Sequence, residues 1–105
     1  MNIGCVVYTK DPQTGNLTAD WHYAPENNPV TGTGKAQGMP GEQYAGEYVI
    51  TYYNAVGIEA GTFTLHIEEK QAGFSLIWYQ DGKKKYTGCG MMHENVLIAG
   101  WKRFG

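Results

Sequence analysis

The sequence predicts an all-β domain, an antiparallel up-and-down meander that closes into a small barrel of seven to eight strands. Short runs rich in Val, Ile, Thr, Tyr, Phe and Trp alternate between apolar and polar residues, as half-buried strands do. Glycine and other turn residues separate these runs at hairpin spacing. No segment longer than a turn or two has helical periodicity. A closed barrel is favoured because a meander must hide its edge strands.

The bulk composition agrees with this fold class. A chain of 105 residues is expected to form a single domain, residues 1–105, with an independent core. Fifteen glycines and eight tyrosines, with only 17% charged residues, suit a turn-rich β domain better than a helical bundle. The net charge of −2 offers no basic surface of the kind that nucleic acid needs, so no nucleic-acid partner is expected.

The N-terminal segment and the two cysteines are indicators of the cellular compartment. No charged segment leads into an apolar stretch, and nothing approaches the roughly 20 apolar residues of a membrane-spanning helix. We therefore expect a cytoplasmic protein that makes no membrane contact, with a processed secreted form as the open alternative.

Cys5 and Cys89 have neither metal-site nor redox-motif spacing. Two buried thiols are the favoured interpretation, and a bridge between them is the alternative.

The first half of the chain predicts two strands and a long loop. The first strand is Ile3 to Thr9, and the turn chemistry of Lys10 to Asn16 follows it. The second strand is Leu17 to Ala24, whose odd-numbered residues are apolar. Pro25 to Gly41 is rich in proline and glycine and is predicted to be irregular, functional or mobile, as a lid over an open barrel end would be. The alternative is a short strand at Thr31 to Ala36.

The second half predicts five further strands, each joined to the next by a hairpin. They are Glu47–Tyr53, Gly61–Ile67, Phe74–Tyr79, Tyr86–Met91 and Val96–Trp101. Because side chains alternate along a strand, one shared inward face is predicted. It includes Phe63, Leu65, Phe74, Leu76, Trp78 and Leu97. Glycines inside strands, at 61, 88, 90 and 100, indicate bulges or the sharp coiling that barrel closure requires.

This pattern resembles the calycin superfamily, the lipocalin-, fatty-acid-binding-protein- and avidin-like meander barrels. It is also similar to small uncharacterised bacterial barrels. The calycin resemblance rests on short strands, hairpin connections and repeated Gly-x-Tyr and Gly-x-Phe strand starts. The likeness to the bacterial barrels rests on the phrases Gly46-Glu47-Tyr48, Gly61-Thr62-Phe63-Thr64-Leu65 and Ala99-Gly100-Trp101. The resemblance covers Leu17 to Trp101 and implies a barrel with one end open to a small apolar ligand. The lipocalin Gly-x-Trp is missing, with Ala19-Asp20-Trp21 as its nearest analogue, so no ligand site carries over residue by residue.

Three groups of residues with possible chemistry are weak candidates. Gly32-Thr33-Gly34-Lys35 lacks the leading glycine, the following Ser or Thr and the helix of a phosphate-binding loop. The three histidines lie on different strands or turns, and apart from the weak His93-Glu94 pair no second ligand stands at metal-site spacing. Cys89 and His93 are the one thiol and base near each other, yet a strand and a turn can hold them more than about 10 Å apart. The sequence thus predicts no catalytic residue, no metal and no cofactor.

The aromatic residues on the inward face carry the strongest functional signal. The candidates for lining a cavity are Tyr48, Tyr52, Phe63, Trp78, Tyr86 and Trp101. They can simply fill the core, since a barrel of about eight strands has little spare volume. Alternatively, they surround a pocket for a small apolar or aromatic molecule, with glycines opposite them leaving room. Binding such a ligand is the preferred function. The rivals are a lyase or isomerase that uses Tyr and Glu as acid and base, and a protein–protein interaction scaffold.

The outward face predicts self-association. Three predicted strands carry outward residues that are largely apolar or aromatic, namely Val49, Thr51 and Tyr53, Ile77 and Tyr79, and Val96 and Ile98. The strand of Phe63 instead presents Thr62, Thr64, His66 and Glu68. A soluble monomer rarely exposes a large apolar patch. We therefore expect a homodimer or higher even oligomer, packed sheet against sheet.

Overall fold

The computed structural model describes residues 3–25 and 28–105, and these form a closed antiparallel barrel. Its eight strands are Ile3–Lys10 (β1), Leu17–Ala24 (β2), Val30–Gln37 (β3), Gly46–Asn54 (β4), Glu59–Lys70 (β5), Gly73–Gln80 (β6), Lys83–His93 (β7) and Val96–Arg103 (β8). Each strand pairs with the next, and β1 pairs with β8 from Ile3↔Lys102 to Thr9↔Val96. The predicted meander is confirmed, with the higher of the two strand counts.

Closure leaves no free strand edge among the eight strands, so every ladder is paired on both sides. In the described part of the chain, no helix is long and apolar enough to cross a membrane.

The predicted inward face of the second half is confirmed. Leu65, Leu76 and Leu97 are fully buried, and Trp78 is nearly so. Phe63 and Phe74 are partly buried and pack against the same core. The strand register deduced from alternation is therefore correct, because a slip of one residue would turn all of these side chains outward.

Glycines on the inner face make room for aromatic rings on neighbouring strands. Gly4 on β1 is the Cα partner of both Tyr23 on β2 and Trp101 on β8. A Cβ atom at Gly4 would overlap the Trp101 ring, and one at Gly34 would lie 2.8 Å from Cδ1 of Tyr52. These glycines therefore accommodate the protein's own rings. The expectation that the space opposite the aromatic residues is left for a ligand is wrong at these positions.

The prediction that Pro25 to Gly41 is irregular is largely wrong. Val30 to Gln37 forms β3, paired with β2 on one side and β4 on the other. The alternative of a short strand is correct, and that strand is longer than predicted. The inward positions of β3 include Gly32 and Gly34, so the hydrophobic alternation that reveals a strand is missing there. Residues 26 and 27 of the predicted lid lie outside the described residues.

Both expectations for the cysteines are wrong. Cys5 and Cys89 are exposed and free. Each is a Cα partner of Gly100, one from β1 and the other from β7. Two strand spacings separate their Cα atoms by about 10 Å, which is too far for a disulfide. The alternation along β1 explains the exposure, since Gly4, Val6 and Tyr8 face inward and Cys5 must face out.

The outward apolar residues are less continuous than predicted. β4, β6 and β8 are not neighbours, because β5 and β7 lie between them. Apolar residues do adjoin on β7, β8 and β1, where Ile98 is the Cα partner of Met91 and of Val7. Ile98 and Met91 are exposed there. Assembly into a homodimer or higher even oligomer stays a prediction.

Candidate functional site

One end of the barrel is closed by the loop between β3 and β4. This loop places Tyr44 across the end, where the ring is only 4% exposed. The Tyr44 hydroxyl donates to the carbonyl oxygen of Asn95 at 2.7 Å and accepts from the backbone N–H of Lys10 at 3.0 Å. Beneath it, the Tyr48 hydroxyl donates to the carbonyl oxygen of Tyr44 at 2.8 Å. The loop is thereby tied to β1 and to the β7–β8 turn, and we call this the closed end.

The opposite end, towards the connections β2–β3, β4–β5 and β6–β7, contains a cavity of about 180 Å³. Its lining is aromatic and aliphatic throughout: Val6, Tyr8, Trp21, Tyr23, Val30, Tyr52, Ala60, Phe63, Trp78, Tyr86 and Trp101. No charged side chain is among these described residues. A second depression, on the outer face of β2, β3 and β4, is open to solvent and much more polar. The barrel is therefore filled at the closed end and hollow at what we call the open end.

The structure brings five of the six predicted site residues together at the cavity. They are Tyr52, Phe63, Trp78, Tyr86 and Trp101. Tyr48 is the exception: it lies at the closed end, where its hydroxyl is bonded to Tyr44. Alternation identified the inner face of β4, but it does not say at which height along the barrel each ring will lie.

The prediction missed three aromatic residues of the cavity, Tyr8, Trp21 and Tyr23. A signal for Trp21 and Tyr23 was present, since both share the apolar side of β2 with Leu17. Tyr8 had no such signal, because its role depends on the pairing of β1 with β8 from the far end of the chain.

Five aromatic rings form an unbroken chain of contacts around most of the cavity, from Tyr23 to Tyr52. Tyr23 stacks on Trp101 with centroids 5.0 Å apart, and Trp101 meets Tyr86 edge-on at 5.2 Å. Tyr86 contacts Phe63 at 5.7 Å, and Phe63 contacts Tyr52 at 5.9 Å. Such pairs contribute about 0.5–1.5 kcal/mol each beyond their buried area. We call these five residues the aromatic belt. Its mutual contacts hold the cavity wall in place without a ligand.

The belt closes over β1 because of Gly4. Tyr23 and Trp101 lie on β2 and β8, with β1 between them. A side chain at the intervening position of β1 would separate the two rings. Gly4 has none, so the rings stack above its backbone.

A hydrogen-bonded cluster of three side chains forms the polar part of the cavity. The hydroxyl oxygens of Tyr8 and Tyr52 are 2.7 Å apart, and the indole Nε1–H of Trp78 donates to the Tyr52 oxygen at 2.7 Å. The three residues come from β1, β4 and β6, so the cluster spans the barrel interior. We call it the Tyr8–Tyr52–Trp78 cluster.

The cluster is neutral at physiological pH. Burial raises the pKa of Tyr8 well above its ordinary value, and it raises the pKa of Tyr52 to about 12. The physical cause is desolvation, since a phenolate withdrawn from water is disfavoured. The cavity thus offers hydroxyl and ring surfaces and no charge.

A bulge shapes the mouth of the cavity. Tyr52 pairs with Gly61 while Tyr53 pairs with Glu59, so Ala60 is an extra residue in β5. Bulges re-aim side chains at barrel rims. Here the bulged residue, Ala60, lies on the cavity wall.

Comparison with other proteins does not indicate a family for this chain. No family model matches the chain, and no curated protein or solved structure matches it. Within residues 3–25 and 28–105, no three metal-ligating side chains come together. The function must therefore be argued from the cavity itself.

Proposed function

We propose that this protein binds a small apolar or aromatic molecule in the open end of the barrel. The observation that carries the proposal is the cavity of about 180 Å³ enclosed by the aromatic belt and by the Tyr8–Tyr52–Trp78 cluster. An apolar protein cavity of about 150 Å³ stays dry and accepts benzene. Pockets for drug-sized ligands are larger, about 300–1,000 Å³. The space suits a compact molecule of about one ring.

The barrel architecture supports the same proposal. Barrels of about eight strands either fill with side chains or hold one small ligand, as lipocalins and streptavidin do. This barrel combines a filled closed end with a hollow open end, the arrangement that a calycin-like binding protein needs. We extend the calycin likeness to function as an analogy of architecture, since a fold alone does not specify a ligand.

The enzymatic alternative has less support. Acid–base catalysis by a Tyr and Glu pair needs a carboxylate within hydrogen-bond reach of the substrate. None of the described cavity residues is Asp or Glu. Burial also raises the pKa of Tyr8 and of Tyr52, which opposes a role as a base near neutral pH.

The exposed thiols support a reducing environment. Free cysteines on the surface persist in the cytoplasm, where thiols are kept reduced. Cys5 and Cys89 are both exposed and free. We therefore keep a cytoplasmic location as part of the proposal.

A titration with α-methylstyrene tests the binding proposal. All three tryptophans of the chain line the cavity, so their fluorescence should report occupancy directly. We expect a saturable change of fluorescence in the wild-type protein. Ala60→Phe should weaken binding about tenfold or more, because the new ring occupies the mouth of the cavity.

Ala55→Phe is the matched control, since Ala55 is exposed in the β4–β5 turn and does not line the cavity. It should leave the affinity unchanged. A linear, unsaturable response in the wild-type protein, or equal losses in both variants, would refute binding in this cavity. Native mass spectrometry of the purified protein would then identify any copurified natural ligand and the subunit number.

A further inference from the structure

The Tyr8–Tyr52–Trp78 cluster has three hydrogen-bond donors, and its two hydrogen bonds use only two of them. A phenol carries one proton and can accept two hydrogen bonds, while an indole nitrogen only donates. Trp78 donates to Tyr52, and the bond between Tyr8 and Tyr52 uses one hydroxyl proton. The Trp78 N–H also lies close enough to Tyr8 to lower its pKa, but it is a donor, and among the described residues neither hydroxyl has a further acceptor. One of the two hydroxyl protons is therefore left over.

Burial decides which hydroxyl keeps that proton. Both residues line the cavity, but Tyr8 has no solvent-exposed surface whereas Tyr52 is partly exposed. If Tyr52 donated to Tyr8, the unused proton would be trapped on the buried residue, and an unpaired buried donor is costly. The better arrangement has Tyr8 and Trp78 both donating to Tyr52. The Tyr52 hydroxyl then has its own proton available for the cavity.

The Tyr52 hydroxyl lies on an apolar cavity wall and stays protonated near neutral pH, because burial raises its pKa to about 12. The described lining residues carry no charge that could balance an anion. An anionic ligand would lose most of its hydration in return for a few neutral donors, which is unfavourable.

We propose that the ligand is a compact, neutral molecule whose one acceptor group, such as a carbonyl, an ether or a ring nitrogen, accepts a hydrogen bond from the Tyr52 hydroxyl. This inference rests on the proposed function, because it specifies the chemistry of the molecule in the same cavity. The aromatic belt contacts the apolar body of the ligand. The Tyr52 hydroxyl orients it by its one polar atom.

Two probes of equal shape test the inference. Acetophenone carries a carbonyl acceptor, and α-methylstyrene has a CH₂ group in place of that oxygen. Tyr52→Phe removes the donor and keeps the ring. It also removes the acceptor of the Tyr8 and Trp78 protons, so urea denaturation is used first to show that the variant is folded under the binding conditions. We expect this change to weaken acetophenone binding about 3–10-fold, the range for one neutral hydrogen bond. Binding of α-methylstyrene should change by less than about twofold, because it has no acceptor.

Each probe is compared between proteins by calorimetry, so the different hydration of the two probes cancels. Tyr53→Phe is the matched control, since it removes a hydroxyl from the neighbouring residue of β4, which is not part of the cavity lining. It should affect neither probe. Benzoate, an anion of similar shape, should show no saturable binding at concentrations that saturate acetophenone.

An infrared measurement gives a readout that needs no variant. The carbonyl stretch of acetophenone bound to the wild-type protein should lie below its position in hexane, as a hydrogen-bonded carbonyl does. An unshifted stretch would overturn the inference, as would equal effects of Tyr52→Phe on both probes, or tight benzoate binding. These outcomes leave the apolar cavity intact as a binding site. Failure of both neutral probes to bind would instead refute the proposed function.

Discussion

The two ends of this barrel use tyrosine in opposite ways. At the closed end, the hydroxyls of Tyr44 and Tyr48 each donate to a backbone carbonyl, of Asn95 and of Tyr44 respectively. At the open end, the hydroxyls of Tyr8 and Tyr52 bond to each other. The first arrangement uses every hydroxyl proton within the protein. The second leaves one for another molecule. The difference separates a structural plug from a binding surface made of the same residue type.

The two ends also differ in how their side chains pack. Towards the closed end, aliphatic side chains such as Leu65, Leu76 and Leu97 fill the interior completely. Towards the open end, large rings lean over glycines and against one another, and a cavity remains between them. Substitutions at the two ends should therefore differ in their effects.

The largest effect is expected in the filled part of the barrel. Leu76→Ala should lower the free energy of unfolding by about 2–5 kcal/mol, because Leu76 is completely buried and the truncation leaves a void. Urea denaturation followed by circular dichroism measures this. Val49→Thr is the control, since Val49 is 64% exposed on the outer face and should lose less than about 0.5 kcal/mol. A loss below about 1 kcal/mol for Leu76→Ala would show that this half is not tightly packed.

A smaller effect is expected from a change at the open end. Gly4→Ala places a methyl group where the Trp101 ring lies, and so forces Tyr23 and Trp101 apart. Overpacking of this kind costs about 1–3 kcal/mol. Because the aromatic belt is opened, α-methylstyrene binding should weaken as well. This coupling of stability to binding is not expected for Leu76→Ala.

The control for this substitution lies on the same seam between β1 and β8. Gly100→Ala adds a methyl group on the outer face, where the nearest atom is the Gly4 carbonyl oxygen at 3.8 Å. Its stability and affinity should stay near wild type. If Gly4→Ala behaves like Gly100→Ala, the ring stack does not depend on the missing side chain at Gly4.

Residues in this comparison also show what the sequence could predict. Period-2 alternation placed Phe63, Trp78 and Trp101 on the inner face, since that pattern depends only on neighbours along one strand. It could not separate Tyr48 from Tyr52. Both lie on the inner face of β4, and only the loop that carries Tyr44 assigns them to different ends.

The strand β3 shows the complementary limit. Its inward positions include Gly32 and Gly34, which appear in the sequence as loop residues. They are strand residues because rings from β2 and β4 occupy the space above them. Such a partnership between a small residue and a ring on another strand has no local signature. The Tyr8–Tyr52 bond, between residues 44 positions apart, was hidden for the same reason.

The final prediction concerns alkaline pH and compares wild type with Tyr52→Phe. Burial raises the folded-state pKa of Tyr52 to about 12, above the unfolded value of about 10. The protonated hydroxyl therefore contributes its full stability below about pH 10. Above that pH the unfolded chain loses its proton first, so stability falls as pH rises towards the folded-state pKa. The free energy of unfolding should be nearly flat below about pH 9 and should decline between about pH 10 and 12.

Because other groups also titrate in this range, the decline must be compared between proteins. Tyr52→Phe removes one of the raised pKa values, so its stability should fall less steeply than that of the wild-type protein over the same interval. Tyr53→Phe, on the same strand, should follow the wild-type curve. Tyrosinate absorbance supplies the independent check: in the folded protein Tyr8 and Tyr52 should ionise only well above the unfolded-chain pKa of about 10, because both hydroxyls are desolvated. Complete ionisation of all eight tyrosines below about pH 11, while the circular dichroism remains native, would show that water reaches the cluster freely. In that case the contrast between the two ends would not depend on desolvation, and the Tyr52 hydroxyl would be no better placed to bind a ligand than any surface tyrosine.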